Sequence, residues 1–256
     1  MLELINVSSG YDGQDTIGDV SLTFQPGRIY TVVGRNGCGK STLLKTCAGL
    51  LRPRGGSILL DEQELGSYAP VERARRISYL SQSRNTPGIS VERLVAHGRY
   101  PRLAPPRRLN AEDRMAIENA MEVMQVTNLR HKNMHELSGG EQQRVYLAMQ
   151  LSQDASVLLL DEPTTYMDID YQLSLLDLLR QLRECGKAII LVLHDLQQAL
   201  NVSDGIIVMD NGRIVSAASP DATLSAGVLE RTFHVWIDTA GNPTKGYVLN
   251  MEKPRR

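Results

Sequence analysis

Short apolar runs alternate along most of the chain with segments in which apolar residues recur at helical spacing. Buried strands of a parallel sheet are apolar without interruption, whereas amphipathic helices repeat apolar residues every three or four positions. The runs predict strands at residues 2–7, 20–24, 29–33, 57–60, 77–80, 157–160 and 188–193. The helical spacing predicts helices over residues 41–50, 70–76, 141–151 and 172–183. We therefore expect an α/β fold with a mainly parallel sheet and helices on its faces.

The pattern changes between about residues 88 and 136, where strand signals vanish. Asn110 is a good helix N-cap, and Glu112 and Asp113 place acids in the following turn. Apolar residues then recur at helical spacing as far as Met124. This texture predicts a helical subdomain inserted into the α/β fold.

The C-terminal part of the chain predicts hairpins. Residues 206–209 and 213–215 are apolar and flank an Asn-Gly turn. A second hairpin is expected from residues 235–237 and 247–249, across Gly241-Asn242-Pro243, with Trp236 in the core. We assign no function to residues 221–256.

Composition and charge narrow the class of protein. A chain of 256 residues with a net charge of −1 is unlike a nucleic-acid binder that relies on bulk charge, so we expect no nucleic-acid partner. Its three cysteines are an odd number without metal-type spacing, which suits a reducing compartment. No apolar run approaches the roughly 20 residues that span a bilayer, and we expect no signal peptide.

Residues 34–41 fit the pattern G-x-x-x-x-G-K-[ST] between a predicted strand and a predicted helix. Amides of such a loop point at phosphates, its lysine adds positive charge, and its serine hydroxyl can ligate Mg²⁺. The alternative is a glycine-rich turn that binds nothing. The candidate nucleotide-binding residues here are Gly34, Arg35, Asn36, Gly37, Cys38, Gly39, Lys40, Ser41 and Thr42. Because Cys38 lies inside the loop, we expect its alkylation to block nucleotide binding.

Two carboxylates follow the predicted strand at residues 157–160. Asp161 and Glu162 reach the carboxyl end of the sheet, where open α/β folds bind ligands, and Pro163 ends the strand. One carboxylate can hold Mg²⁺, and the second can take a proton from an attacking water. The alternative is an acidic surface turn.

A third constellation lies at Leu137-Ser138-Gly139-Gly140-Glu141. Ser138 and Glu141 have the spacing of a capping box at the start of a helix. Alone, this segment predicts only a well-capped helix. The functional alternative is a second anion-binding helix N-terminus.

The order of these motifs resembles the nucleotide-binding subunit of an ABC transporter. Residues 34–41 correspond to Walker A, 137–141 to the family signature and 157–162 to Walker B, with Gln82 and His194 after strands between and beyond them. The resemblance implies a single domain with a P-loop NTPase core, an N-terminal antiparallel β subdomain and an inserted α-helical subdomain. The implied parts are residues 1–87 and 153–220 for the core and β subdomain, 88–152 for the helical subdomain, and 221–256 for a tail.

The resemblance also implies roles. In this family two subunits stack head to tail, and each ATP lies between Walker A of one and the signature of the other. Carried over, Ser138, Gly139 and Gly140 contact the γ-phosphate held by the partner. Lys40 holds the phosphates, and Ser41, Gln82 and Asp161 serve Mg²⁺. Glu162 is the catalytic base, His194 senses the γ-phosphate, Tyr11 stacks on adenine, and Asp168 lies in the loop that crosses the dimer.

Two further segments resemble subunits of iron–siderophore, haem and cobalamin importers. They are residues 164–172 and 97–101. This implies an ATPase at the cytoplasmic face of a bacterial inner membrane, with permease subunits and, indirectly, a substrate-binding protein as partners. We expect the basic residues within 97–108 to help form the permease dock or to lie near anionic lipid; the alternative is a solvated basic loop.

Three rival functions stay open at this point. They are a soluble ABC ATPase that acts on ribosomes or DNA, a small-molecule kinase with the same phosphate loop, and a non-catalytic nucleotide-binding scaffold. The first usually has two such domains or a long coiled coil, the second has no need of residues 137–141, and Glu162 disfavours the third.

Overall fold

The computed structural model describes residues 1–82, 84–239 and 247–250, and side chains as far as residue 235. Two larger sheets organise the chain. The strands are β1 (Leu2–Tyr11), β2 (Gln14–Phe24), β3 (Arg28–Gly34), β4 (Gly55–Leu60), β5 (Gln63–Glu64), β6 (Ile77–Leu80), β7 (Val157–Asp161), β8 (Ala188–Val192), β9 (Gly205–Asp210), β10 (Arg213–Ala218), β11 (Trp236–Thr239) and β12 (Tyr247–Asn250).

The helices flank the larger sheet and fill the interval between β6 and β7. They are α1 (Lys40–Cys47), α2 (Pro70–Arg76), α3 (Val91–His97), α4 (Ala111–Val123), α5 (Gly139–Gln153), α6 (Ile169–Glu184), α7 (Leu196–Val202), α8 (Pro220–Ser225) and α9 (Val228–Phe233). Because α3, α4 and α5 occupy the interval without strands, the inserted helical segment is present. The exact limits of the domain's parts stay a prediction.

The six-stranded sheet has the order β10-β9-β3-β8-β7-β6. Its strands from β9 to β6 are parallel, and β10 pairs antiparallel with β9. The predicted mainly parallel sheet is confirmed. Because the carboxyl ends of its parallel strands meet at one edge, the loops after β3, β6, β7 and β8 come together there.

Alternate residues of the central strands enter two separate cores. In β8, Ile189 and Leu191 pack with the helical segment and α6, whereas Ile190 and Val192 pack with α1 and the strands of the N-terminal sheet. Both faces are therefore covered, which explains why the sequence of this strand is apolar without alternation.

The N-terminal antiparallel sheet has the order β2-β1-β4-β5. The strands predicted at residues 2–7 and 20–24 are longer in the structure, because β1 and β2 extend through most of the interval between them. β1 and β2 continue to Tyr11 and Gln14, which pair across the turn. Asp12 and Gly13 both have positive φ, at 48° and 82°, so an Asp-Gly turn closes a long hairpin.

Both C-terminal hairpins form. β9 and β10 flank Asn211 and Gly212, and β11 pairs antiparallel with β12. The proposed turn at 241–243 lies outside the described residues, and so does the side chain of Trp236. No helix among the residues described combines the length and the apolar character needed to cross a membrane.

The basic residues of segment 97–108 do not form one exposed surface. Arg99 is 4% exposed, pairs with Asp113 at 2.9 Å and donates to the carbonyl oxygen of Ser152. Arg102 donates to the carbonyl oxygens of Gln153 and Asp154. These two side chains tie the segment to the end of α5, whereas Arg107 and Arg108 are exposed. The role of the segment in docking stays a prediction.

Candidate nucleotide site

The phosphate loop connects β3 with α1 and needs its glycines. Gly37 and Gly39 have φ of 79° and 103°, in the left-handed region that favours glycine. A Cβ on Gly34 would lie 2.4 Å from the carbonyl oxygen of Met209, which leaves no room for a side chain. Arg35 and Asn36 are exposed on the loop, and Cys38 is buried beneath it. The backbone thus adopts the curved path that the motif predicts.

Lys40 and Ser41 begin α1 at the end of this loop. The Lys40 side chain is buried, and its Nζ donates to the carbonyl oxygens of Gly34 at 2.8 Å and Arg35 at 3.0 Å. Ser41 counters the rise that burial causes in the pKa of Asp161, so the two side chains lie close together, and Thr42 is buried in the same turn. Walker A and Walker B are therefore adjacent.

Asp161 is a buried carboxylate with spare acceptor capacity. It is 1% exposed at the end of β7, and its Oδ1 has no hydrogen-bond partner in the described part of the chain. The Tyr79 hydroxyl donates to Oδ2 at 3.4 Å. Burial raises the pKa of Asp161, and the negative charge of Glu162 raises it further. A cation at this position would relieve both effects.

Glu162 lies in the turn after β7 with φ of 53°, an uncommon conformation for a residue with a side chain. Its two carboxylate oxygens have different partners. Gln82 Nε2 donates to Oε2 at 2.6 Å, and His194 Nε2 lies 2.5 Å from Oε1. Gln82, Glu162 and His194 follow β6, β7 and β8, so three neighbouring strands hold one carboxylate between two nitrogen groups.

Tyr11 lies at the end of β1 and is 45% exposed. The ammonium group of Lys45 is 3.4 Å from the Tyr11 hydroxyl and 5.7 Å from the ring centroid. Lys45 is one helical turn beyond Ser41, so the contact ties the ring to the helix that begins at the phosphate loop. The ring is accessible at the side of the site where an adenine stack is predicted.

The signature forms a separate part of the surface. Ser138 caps α5 through a capping box with Glu141, as predicted: Glu141 N donates to Ser138 Oγ at 3.3 Å, and Ser138 N donates to Glu141 Oε2 at 2.8 Å. Gly139 and Gly140 pack against Tyr166, and a Cβ on Gly140 would lie 2.8 Å from the Tyr166 carbonyl oxygen.

Two grooves flank Tyr166, which is 78% exposed. One, of about 400 Å³, lies between Gln82 and Gly139; the other, of about 250 Å³, lies between Ser138 and Asp168. In the described part of the chain, no phosphate-loop residue lines either groove. One copy therefore brings Walker A, Walker B, Gln82 and His194 together. The signature lies apart from the phosphate loop, and only Gln82 of this cluster shares a groove with it among the described residues.

Residues 17–165 match the ABC transporter family. The chain belongs to that family. It is an ABC-type ATPase, and it has the α/β fold that the resemblance to this family implied. The ferric enterobactin transport ATP-binding protein of Escherichia coli (strain K12) is 39% identical over 242 residues, which cover 94% of this chain and 89% of the relative.

Other proteins support the same relationship. The petrobactin import ATP-binding protein FpuD of Bacillus anthracis is 35% identical over 250 residues, covering 97% of this ABC ATPase and 92% of the relative. A solved ATP-binding subunit of an ABC transporter superposes with a TM-score of 0.81, covers 91% of this chain and 98% of its own, and is 22% identical. The last likeness concerns the fold.

The residues of this ABC ATPase fit Mg²⁺ bound together with phosphate oxygens. Asp161 Oδ1 is a buried oxygen without a partner among the described residues, and Ser41 is close enough to counter the effect of burial on the pKa of this carboxyl group. No group of three or more His, Cys, Asp or Glu side chains in the described chain could hold a metal alone. Mg²⁺ commonly takes one or two protein oxygens and completes its shell with phosphates and water.

Several contacting residues escaped the sequence reasoning. Tyr79 donates to Asp161, Thr165 Oγ1 lies 3.4 Å from Glu162 Oε2, and Lys45 contacts Tyr11. Lys45 follows Ser41 by four residues on α1, so the sequence does place it on the same helix face as a residue of the phosphate loop. Tyr79 gave no such signal, because its contact depends on how β6 and β7 pair. Thr165 lies three residues beyond Glu162, so its contact is set by the local turn after β7.

Proposed function

We propose that this ABC ATPase powers a bacterial importer of iron–siderophore complexes. The observation that carries the proposal is the similarity over nearly the whole chain to proteins named for ferric enterobactin transport and petrobactin import. Residues 97–101 and 164–172, which resemble the same importer group, support it. The partners of the proposal are integral permease subunits and, through them, a substrate-binding protein, with this chain at the cytoplasmic face of the inner membrane.

In the proposed reaction Glu162 accepts a proton from the water that attacks the γ-phosphate. Its carboxylate is already oriented by Gln82 and His194, at 2.6 and 2.5 Å. Lys40 and the loop amides bind the phosphates, and His194 is placed to contact the γ-phosphate. Mg²⁺, held by Asp161, Ser41 and Gln82, would neutralise charge on the phosphate oxygens.

The proposed working form is a head-to-tail dimer. One copy separates Ser138, Gly139 and Gly140 from its own phosphate loop, so these signature groups are free for the nucleotide on a second copy. The capped N-terminus of α5 exposes backbone amides suited to an anion. Tyr11 stacks on adenine, and Asp168 lies beside the groove that the partner would cover.

The test is uptake of ⁵⁵Fe-labelled siderophores by the source strain with and without this chain. Loss of uptake on deletion, restored by the unaltered chain and not by Glu162→Gln, is the expected result. Haem and cobalamin uptake are measured in the same strains. Unchanged siderophore uptake with loss of haem or cobalamin uptake would reassign the substrate.

A further inference from the structure

Arg84 lies two residues beyond Gln82 and makes two different contacts with α5. Its guanidinium carbon is 4.3 Å from the centroid of the Tyr146 ring, and its Nη2 donates to Gln143 Oε1. Its buried Nη1 has no hydrogen-bond partner among the residues that the structure describes. The aromatic face is therefore the group that compensates this part of the buried cation.

Gln143 connects Arg84 with the turn that contains Glu162. Its side chain is 3% exposed, and its Nε2 donates to the carbonyl oxygen of Pro163 at 2.7 Å. Pro163 directly follows Glu162, whose carboxylate accepts from Gln82. The contacts thus close a ring through Gln82, Arg84, Gln143, Pro163 and Glu162.

Neighbouring bonds strengthen the attachment of this segment to α5. The Tyr146 hydroxyl donates to the carbonyl oxygen of Asn85 at 3.3 Å, and Thr86 Oγ1 donates to Gln142 Oε1 at 3.1 Å. Gln142 Nε2 in turn donates to the carbonyl oxygens of Met134 and Leu137, just before Ser138. The segment therefore holds the first turns of the helix that begins at the signature.

We propose that Arg84 is a positioning residue for ATP hydrolysis, which fixes the signature helix α5 relative to Glu162 through Gln143. The inference rests on the ATP hydrolysis of the proposed function. In a dimer, the distance between the signature and Glu162 decides whether both can serve their respective nucleotides at once. A helix free to tilt would bind ATP and hydrolyse it slowly.

Arginine suits this position better than lysine. Its planar fork can donate to Gln143 while its face lies on Tyr146, whereas an ammonium group cannot do both in one geometry. Arg84→Lys therefore keeps the positive charge but cannot bind Gln143 and stack on Tyr146 at the same time. Arg84→Met keeps an apolar stem over the ring and removes both charge and fork.

The experiment measures kcat and KM for Mg-ATP hydrolysis by the purified full-length protein and its variants Arg84→Lys, Arg84→Met, Gln143→Met and the double Arg84→Met/Gln143→Met. We expect kcat to fall about tenfold in each Arg84 variant with KM changed less than about twofold, as for an interaction realised in the transition state. The double variant should be no worse than the poorer single variant, because both changes break one ring.

The matched control is Arg76→Met. Arg76 also lies over a tyrosine, with its guanidinium carbon 5.3 Å from the centroid of the Tyr68 ring. It forms an ion pair with Asp61, and neither residue belongs to the ring of contacts through Arg84 and Gln143. This variant should keep kcat, and its unfolding midpoint gives the scale for losing a stacked arginine.

Unchanged kcat in Arg84→Lys would overturn the inference, as would equal changes in kcat and KM, or additive losses in the double variant. If Arg84→Met does not fold, Arg84→Lys and Gln143→Met still decide. Absence of ATPase activity in the unaltered protein would instead refute the proposed function.

Discussion

His194 Nε2 lies 2.5 Å from Oε1 of Glu162, although the two residues follow different strands. Glu162 is 11% exposed and His194 is 52% exposed, so the carboxylate is sheltered while the imidazole faces the open side of the site. Gln82 holds the other oxygen. Both oxygens of the Glu162 carboxylate therefore have a partner within this chain, without any contribution from a bound nucleotide.

Loss of either residue should slow hydrolysis more than it weakens binding. Glu162→Gln removes the proposed base and should lower kcat by about 10²- to 10⁴-fold, the usual range for general base catalysis. His194→Ala frees the carboxylate and removes the proposed contact with the γ-phosphate, so kcat should fall as well. Steady-state ATPase and equilibrium ATP binding measure the two effects. His135→Ala, at an exposed position outside the cluster, is the control; turnover at the original rate in Glu162→Gln would contradict the assignment.

Asp161→Asn should stabilise the nucleotide-free protein and abolish most of the added stability from Mg-ATP. Burial raises the pKa of Asp161 in the folded state, so above its ordinary pKa the ionised carboxylate costs stability, and this cost disappears as the pH falls. The neutral amide removes the cost. A gain of about 1 kcal/mol corresponds to roughly 2–4 °C in Tm for a chain of this size. Thermal unfolding at pH 7.5, with and without Mg-ATP, provides the measurement; a lower Tm without nucleotide would contradict it.

The sequence predicted the elements that are set by local pattern. The apolar runs located the central strands, and the glycine spacing located the phosphate loop. The Asp12-Gly13 dipeptide is typical of a tight hairpin turn, and it is the local signal for an N-terminal hairpin longer than the strands predicted at 2–7 and 20–24.

Long-range contacts could not be predicted in the same way. Arg99 looked like part of a basic surface, because nothing in residues 97–108 reveals that Asp113 and Ser152 will bind it. The family resemblance implied roles for Glu162 and His194 at one nucleotide, but it did not imply the contact between them, which requires β7 and β8 to be neighbours. No sequence pattern predicts the contact of Arg84 with Gln143, because the ring of contacts that contains them joins three separate parts of the chain.

Arg99→Met should destabilise the protein strongly. Both partners of the Arg99–Asp113 pair are about 95% buried, so removal of the arginine leaves an unpaired carboxylate, which costs about 3–5 kcal/mol. Burial acts to raise the pKa of Asp113, yet hydrogen bonds from Asn110 and Arg99 outweigh it and lower the pKa overall. The pair therefore adds stability above the ordinary pKa of aspartate, and this is lost as the pH falls through the lowered value.

Urea unfolding at pH 7 measures this effect. The control is Arg54→Met, whose pair with Asp15 is solvent-exposed and should contribute about 0–1 kcal/mol. Asp113→Asn added to Arg99→Met should recover part of the loss. Equal destabilisation by the two arginine variants would contradict the role of burial.

Thiol reagents should discriminate among the three cysteines. Cys185 is exposed, whereas Cys38 and Cys47 are buried. Burial raises the pKa of Cys38, and it raises the pKa of Cys47 to about 12, so both are poor thiolates near neutral pH. Mass spectrometry after iodoacetamide at pH 8 should find Cys185 modified first. Slow modification of Cys38 should parallel the loss of ATP binding, and Cys185→Ser should leave binding intact; full binding by protein alkylated at Cys38 would contradict its place beneath the phosphates.

In the proposed dimer, Lys40 of one copy and Ser138 of the other bind the same nucleotide. Sedimentation of Glu162→Gln with Mg-ATP tests this claim most directly, compared with Glu162→Gln/Ser138→Arg and Glu162→Gln/Lys40→Met. We predict an ATP-dependent dimer for the first protein, a monomer that still binds ATP for the second, and a monomer that binds ATP poorly for the third. A dimer formed equally well with arginine at position 138, or a Glu162→Gln protein that binds ATP and stays monomeric at every concentration, would contradict the account.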